Sequence, residues 1–206
     1  MSFPEKRYDS ISSYTEQYFG RIGAAAATLD HARLQEAAAI LTDVYGRGAR
    51  VYSCGNGGSA AISNHLVCDH SKLVRTDTDL QSRVVSLSST VEIITAISND
   101  ISYDEVFVYQ LRCLAEPGDA LITISSSGDS ENIVRAAQWA IENDIRVIAL
   151  TGFDGGRSAH LADVNLHVDA DNYGVIEDVH QSLMHILAQY VRQAHMDPDL
   201  IDVRNF

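Results

Sequence analysis

The segment Ser53-Cys54-Gly55-Asn56-Gly57-Gly58-Ser59 is followed six residues later by His65 and then by Asp69. Three glycines allow a tight turn after an apolar run around Val51, and Ser59 can open a helix. Free backbone N–H groups at such a helix start suit a phosphate. His65 and Asp69 are four apart, which places them on one helix face. Such a pair can move a proton or hold a metal. The plainer alternative is a βα turn with a capping serine and an ordinary helix surface.

A second segment, Ser125-Ser126-Ser127-Gly128-Asp129-Ser130, leads into Glu131 and Asn132. Four hydroxyls and the N–H groups of the next helix can saturate the oxygens of a phosphate. Asp129 counts against an anion, and Ser130 alone would suffice as a helix cap. No Gly-x-x-x-x-Gly-Lys-Ser/Thr is present, and Ala60 stands where Gly-x-Gly-x-x-Gly needs its third glycine. No nucleotide is therefore expected.

The last helical stretch carries Glu177, Asp178, His180 and His185. Glu177 and His185 are eight residues apart, about 12 Å along a straight helix. One helix hardly brings both to one metal unless it bends, and two chains could supply them separately. For His185, among Leu183, Met184, Ile186 and Leu187, a core histidine is the competing role. Cys68 reads as a buried structural thiol. Trp139 and Phe153 read as packing residues, and Lys72 and Arg75 as surface charges.

These groups need a frame. Apolar β-branched runs near 50–54, 83–87, 119–125, 145–151 and 163–168 predict five strands. Helices are expected near 59–73, 90–98, 103–115, 130–142 and 156–161, with a longer one over 173–194. Two more precede the strands within 8–47, the second over 31–46. Apolar strands joined by helical crossovers predict a parallel sheet covered on both faces. Ligands then bind beyond the strand C-termini, where the glycine and serine turns gather.

The chain has 206 residues, 46% of them hydrophobic, enough for one ordinary core. With 15 Lys and Arg against 28 Asp and Glu, its net charge of -13 argues against nucleic acid and against anionic membranes. A locally favourable pocket could still take an anionic metabolite. Three cysteines without a Cys-x-x-Cys spacing, no apolar leader in MSFPEKRYDS and no long apolar run predict a cytoplasmic location.

Together, Ser53 to Ser59, Ser125 to Ser130, Leu150-Thr151-Gly152 with Asp154-Gly155-Gly156, and His185-Ile186-Leu187 resemble the phosphoheptose isomerase family. That family belongs to the sugar isomerase (SIS) domain class, and the likeness runs over roughly 10–195 in the same order. It implies an α/β fold: a three-layer αβα sandwich with a five-stranded parallel sheet of flavodoxin-like topology and extra helices at both ends. It implies one domain over 1–206, with a core of about 30–195 and an N-terminal helix of about 8–28 in oligomer packing. A homotetramer with sites between subunits is expected.

The implied activity interconverts sedoheptulose 7-phosphate and D-glycero-D-manno-heptose 7-phosphate by enediol(ate) proton transfer. The resemblance makes Asp69 and His185 catalytic. It implies one Zn2+ per active site, held by His65, Asp69, Glu177 and His185. It places Asn56, Gly57, Gly58, Ser59, Asp100, Ser125, Ser126, Ser127, Ser130 and Glu177 on the phosphosugar. The family has glutamate at position 69 and glutamine at 177, where this chain has Asp69 and Glu177. A non-catalytic phosphosugar-binding or regulatory protein, one that associates with a replication initiator included, is the alternative. An isomerase of another phosphosugar is a further one.

Overall fold

The computed structural model describes residues 3–206. Five strands, β1 (Arg50–Gly55), β2 (Arg83–Ser86), β3 (Ala120–Ser125), β4 (Arg146–Thr151) and β5 (Val164–His167), form one parallel sheet. Their order is β2-β1-β3-β4-β5, the flavodoxin-like order. Among the described residues, eight α-helices surround it: α1 (Ile11–Ala26), α2 (His31–Gly46), α3 (Gly58–Cys68), α4 (Val91–Asp100), α5 (Val106–Leu114), α6 (Glu131–Glu142), α7 (Gly156–Leu161) and α8 (Tyr173–His195). The three-layer architecture expected from the alternating runs is present.

Strand side chains alternate between two cores, as a period of two requires. Val51, Ile122, Ile148 and Leu166 pack with Leu41 of α2, Ile62 of α3 and Leu183 of α8. Tyr52, Leu121 and Val147 pack on the other face with Phe107 of α5 and Ile133 of α6. Each fully buried Leu or Ile in these layers contributes about 2 kcal/mol. Trp139 and Phe153 pack at the margins of the two cores.

Helix α8 shows why its sequence suits its place. Asn172 caps it by accepting from the Val175 N–H. Val175, Ile176, Val179, Leu183, Leu187 and Val191 recur at helical spacing and are buried. Glu177, Gln181 and His185, each four residues on, mark a separate stripe along the same helix.

Three local expectations change. The helix expected over 59–73 ends at Cys68 and continues as a π turn, Asp69–Leu73. The wider turn goes with a fully buried His70, whose Nδ1 lies 2.7 Å from the Tyr45 hydroxyl and whose Nε2 faces the Met184 carbonyl. Such turns concentrate at functional sites. The helix expected over 103–115 begins as a separate 3-10 turn, Tyr103–Glu105, because Ser102 caps the Asp104 N–H. Cys68 is exposed, not buried, since it sits on the solvent side of α3 while Ile62 and Leu66 face the core. Among the described residues, no helix is long and apolar enough to cross a membrane.

Candidate active site

Helix α3 follows β1 onto one face of the sheet, and α6 follows β3 onto the other. The crevice where neighbouring connections part is the general ligand position in such sheets. It holds a pocket of about 160 Å³ lined by Asn56, Ser59, Ile124, Ser125, Ser126, Ser127, Ser130, Tyr173 and Glu177.

The turn after β1 is built for close approach. A Cβ at Gly55 would lie 2.5 Å from the Ser59 carbonyl oxygen, and Gly57 has φ +55°. Both positions need glycine. Gly58 is constrained from outside: a Cβ there would meet Glu177 Oε2 at 2.4 Å. The first turn of α3 therefore lies directly beneath the Glu177 carboxyl. Ser88 accepts from the Gly55 N–H and donates to the Gly55 carbonyl, which braces the end of β1.

The serine turn leaves hydroxyls unspent. Ser126 Oγ is buried without a partner. Ser130 stands at the N-cap of α6 but makes no side-chain cap bond. A buried unpaired hydroxyl is costly and requires an explanation; a phosphate oxygen would satisfy it. Ser125 Oγ accepts from the Gly128 N–H at 3.1 Å, and Ser127 Oγ lies 3.4 Å from the Asp129 N–H. Asp129 does not oppose an anion here. Its carboxylate accepts from Arg157 Nε at 2.8 Å, and that contact holds its pKa below the usual carboxylate range. Glu177 is shifted the other way, upward, by burial and by the neighbouring Asp178 charge.

Asn56 exchanges amide hydrogen bonds with Asn132 and accepts from the Tyr103 hydroxyl at 2.8 Å. Asp100 ends α4, where it accepts from Asn99, and it lies outside the pocket lining. Tyr173, Asn132 and Tyr103 belong to the site but carry no motif that single-sequence reasoning picks out.

The protonic groups meet one helical level away. His65, Asp69 and His185 offer ligand atoms within 4.8 Å of one another. His185 Nδ1 lies 2.6 Å from Asp69 Oδ2, so the ring donates to the carboxylate. Asp69 Oδ1 is 3.5 Å from His65 Nε2. Asp69 is 16% exposed, while His65 and His185 are 47% and 36% exposed. His185 is therefore no core histidine. The core role falls to His180, whose ring is fully buried. Two imidazoles and one carboxylate are donors that suit zinc. Glu177 lies outside this trio and lines the serine pocket. Gln181 completes the picture: its Nε2 is 3.1 Å from His65 Nδ1 and 3.0 Å from His185 Nε2. Its position midway between Glu177 and His185 was the available signal for it.

Residues 14–152 match the family model described as the SIS domain. The chain is 36% identical over 184 residues to the phosphoheptose isomerase of Alteromonas mediterranea, covering 87% of this chain and 91% of that one. This chain belongs to the phosphoheptose isomerase family. Two solved phosphoheptose isomerases share its fold. The phosphoheptose isomerase of Neisseria gonorrhoeae superposes with a TM-score of 0.81 at 31% identity, covering 88% of this chain and 98% of that one. That of Francisella tularensis gives 0.80 at 32%, covering 90% and 97%. In this member of the phosphoheptose isomerase family, the serine pocket and the His–Asp cluster share two helices, α3 and α8.

Proposed function

We propose that this chain is an aldose–ketose isomerase that interconverts sedoheptulose 7-phosphate and D-glycero-D-manno-heptose 7-phosphate. The observation that carries this reading is the pairing of two sites along the same helices. Ser59 lines the phosphate pocket and His65 lies six residues further along α3, about 9 Å by helical rise. Glu177 and His185 span about 12 Å of α8 in the same way. A linear sugar phosphate carries its phosphate and its carbonyl at opposite ends, and this spacing separates their two sites.

Ser59, Ser126 and Ser130 hold the phosphate, with Ser125, Ser127 and the first N–H groups of α3 and α6. The upward-shifted Glu177, with Asn56, Gly57 and Gly58, contacts the sugar beside the phosphate. Asp100 takes a sugar hydroxyl from the rim of α4. Asp69 removes the proton from the carbon next to the carbonyl and returns it to the neighbouring carbon. Its Oδ2 holds His185 in one tautomer, while Oδ1 serves as the base. As an imidazolium whose Nδ1–H stays on Asp69, His185 presents Nε2–H to the sugar oxygens, gives that proton to the carbonyl oxygen and takes one back from the neighbouring hydroxyl. Zinc held at the His65, Asp69 and His185 cluster would polarise the carbonyl and stabilise the enediolate charge.

The whole chain acts as one domain in a homotetramer with sites between subunits. Helix α1 supports that assembly: Ile11 and Phe19 are 79% and 66% exposed, apolar surface that a second copy would cover. A cytoplasmic location is part of this reading, on the strength of free thiols at Cys54, Cys68 and Cys113.

The reaction is tested by following the C2 proton of the phosphosugar in heavy water by NMR. Deuterium entry with the metal-loaded wild type, and its loss in Asp69→Asn, is the expected result. Binding of the phosphosugar with no exchange by the wild type would instead make the chain a phosphosugar-binding module.

A further inference from the structure

Arg157, the second residue of α7, grips the serine turn from outside the pocket. Its backbone N–H lies 3.2 Å from Asp129 Oδ1, and its Nε donates to the same oxygen at 2.8 Å. Its Nη2 donates to the Asp129 main-chain carbonyl at 2.9 Å, and its Nη1 to Glu131 Oε2 at 3.0 Å. One guanidinium therefore spans residues 129 and 131, the two neighbours of Ser130. Arg135 takes the other oxygen of Glu131, with Nε 2.8 Å from Oε1. The Ser158 N–H donates to the Gly128 carbonyl at 2.9 Å, which seats the start of the turn on α7 but does not reach 129–131.

The need for this grip follows from what Ser130 does not do. An N-cap serine fixes the start of its helix by accepting from a backbone N–H two or three residues on. Ser130 has the extended backbone of an N-cap (φ -60°, ψ 124°) but makes no such bond. Its hydroxyl stays free for a ligand, and the helix start lacks its usual fastening. An aspartate just before a helix can also turn back onto the open N–H groups. Asp129 would then put its own carboxylate where an anion binds. Arg157 holds that carboxylate on α7 instead. None of the described residues lining the pocket is Lys or Arg, so the positive charge beside this turn comes from outside the lining.

We infer that Arg157 is a positioning residue for phosphate binding. It clamps Asp129 and Glu131 in place of the missing cap, and so keeps the Ser130 hydroxyl and the first N–H groups of α6 open to the phosphate. The inference rests on the reading that the serine pocket takes the phosphate of a phosphosugar. Arg157 and Asp129 are 52% and 57% exposed, and exposed ion pairs add little to stability. Loss of Arg157 is therefore felt at the pocket and not in the melt.

The test measures binding of sedoheptulose 7-phosphate and of inorganic phosphate to the full chain by calorimetry, beside thermal melts. Arg157→Ala is expected to weaken both ligands about tenfold or more, with Tm within about 2 °C of wild type. Arg157→Lys keeps the charge but not the fork, and should remain at least about fivefold weaker than wild type. Removing the stray carboxylate as well, in Arg157→Ala with Asp129→Ala, should regain about threefold or more over Arg157→Ala alone. In turnover the loss is expected in KM, with kcat lowered less than about threefold. Wild-type affinity in Arg157→Ala, full recovery by Arg157→Lys, no gain in the double variant, or a loss confined to kcat would each overturn the clamp while leaving the serine pocket in place. A wild type that binds neither ligand would overturn both.

Discussion

His185 Nδ1 donates to Asp69 Oδ2 at 2.6 Å, joining the π turn after α3 to the middle of α8. The contact is short enough to be charge-assisted. It fits an aspartate at the position where the resemblance led us to expect glutamate. A longer side chain must fold back or push the ring away. Asp69→Glu is therefore expected to lower turnover by about tenfold or more, since misplacement of about 1 Å can cost about 10²-fold. Equal or higher kcat in that variant would show that reach does not limit the site.

The unspent hydroxyls predict a binding effect without a stability effect. Ser126 Oγ has no partner and Ser130 makes no cap bond, so neither supports the fold through its hydroxyl. Hydrogen bonds to charged groups are worth about 1.5–3 kcal/mol. Ser126→Ala or Ser130→Ala should weaken phosphosugar binding about tenfold or more, measured by calorimetry, with Tm unchanged or slightly raised. A clear fall in Tm with unchanged affinity would assign these serines to the scaffold.

Two glycines should part company. At Gly58 an added Cβ meets only the movable end of Glu177, so Gly58→Ala should displace that carboxyl and impair binding with little loss of Tm. At Gly128 φ is +67°, and a Cβ would lie 1.9 Å from the Gly155 carbonyl oxygen. That backbone clash joins the turn after β3 to the turn after β4. Gly128→Ala should cost about 2 kcal/mol or more, or about 4–8 °C in Tm. Thermal melts of both variants, with binding measured on Gly58→Ala, check the contrast.

Burial lowers the pKa of His180 to about 4, and its Nε2 lies 3.1 Å from the Thr151 carbonyl oxygen. The unfolded chain takes up this proton near the ordinary value of 6.5, well before the folded chain does. The stability contributed by the neutral ring is fully present above pH 6.5 and is lost as pH falls towards 4. The slope between those limits is about 1.4 kcal/mol per pH unit. Denaturant unfolding of His180→Gln, which keeps a donor, should show a shallower decline over that window. Parallel curves for the two proteins would remove His180 from the account.

The sheet was legible because β3 and β4 are nearly unbroken apolar runs, as strands buried on both faces must be. The serine and glycine turns of the pocket were legible too, because they directly follow β1 and β3, whereas Tyr173 reaches it from α8. The π turn was not: His65 and Asp69 keep a spacing of four whether the helix continues or widens, and His70 on Tyr45 depends on a contact 25 residues away. Asp129 looked adverse because Arg157, its neutralising partner, is 28 residues on. Gln181 was missed because glutamine carries no chemical signature of its own, and only the convergence of two imidazoles gives it meaning. Cys68 misled through composition: cysteines are often buried, but its helix faces inward at Ile62 and Leu66 instead.

The most direct measurement is turnover of sedoheptulose 7-phosphate by the metal-loaded wild type beside Asp69→Asn, which keeps the size of the side chain and removes its basicity. The account predicts robust wild-type turnover and a loss of at least about 10²-fold in kcat for Asp69→Asn, with phosphosugar affinity nearly unchanged. Turnover that survives intact in Asp69→Asn, or a wild type that binds the sugar and converts none of it, would contradict the assignment of Asp69 as the base of an isomerase.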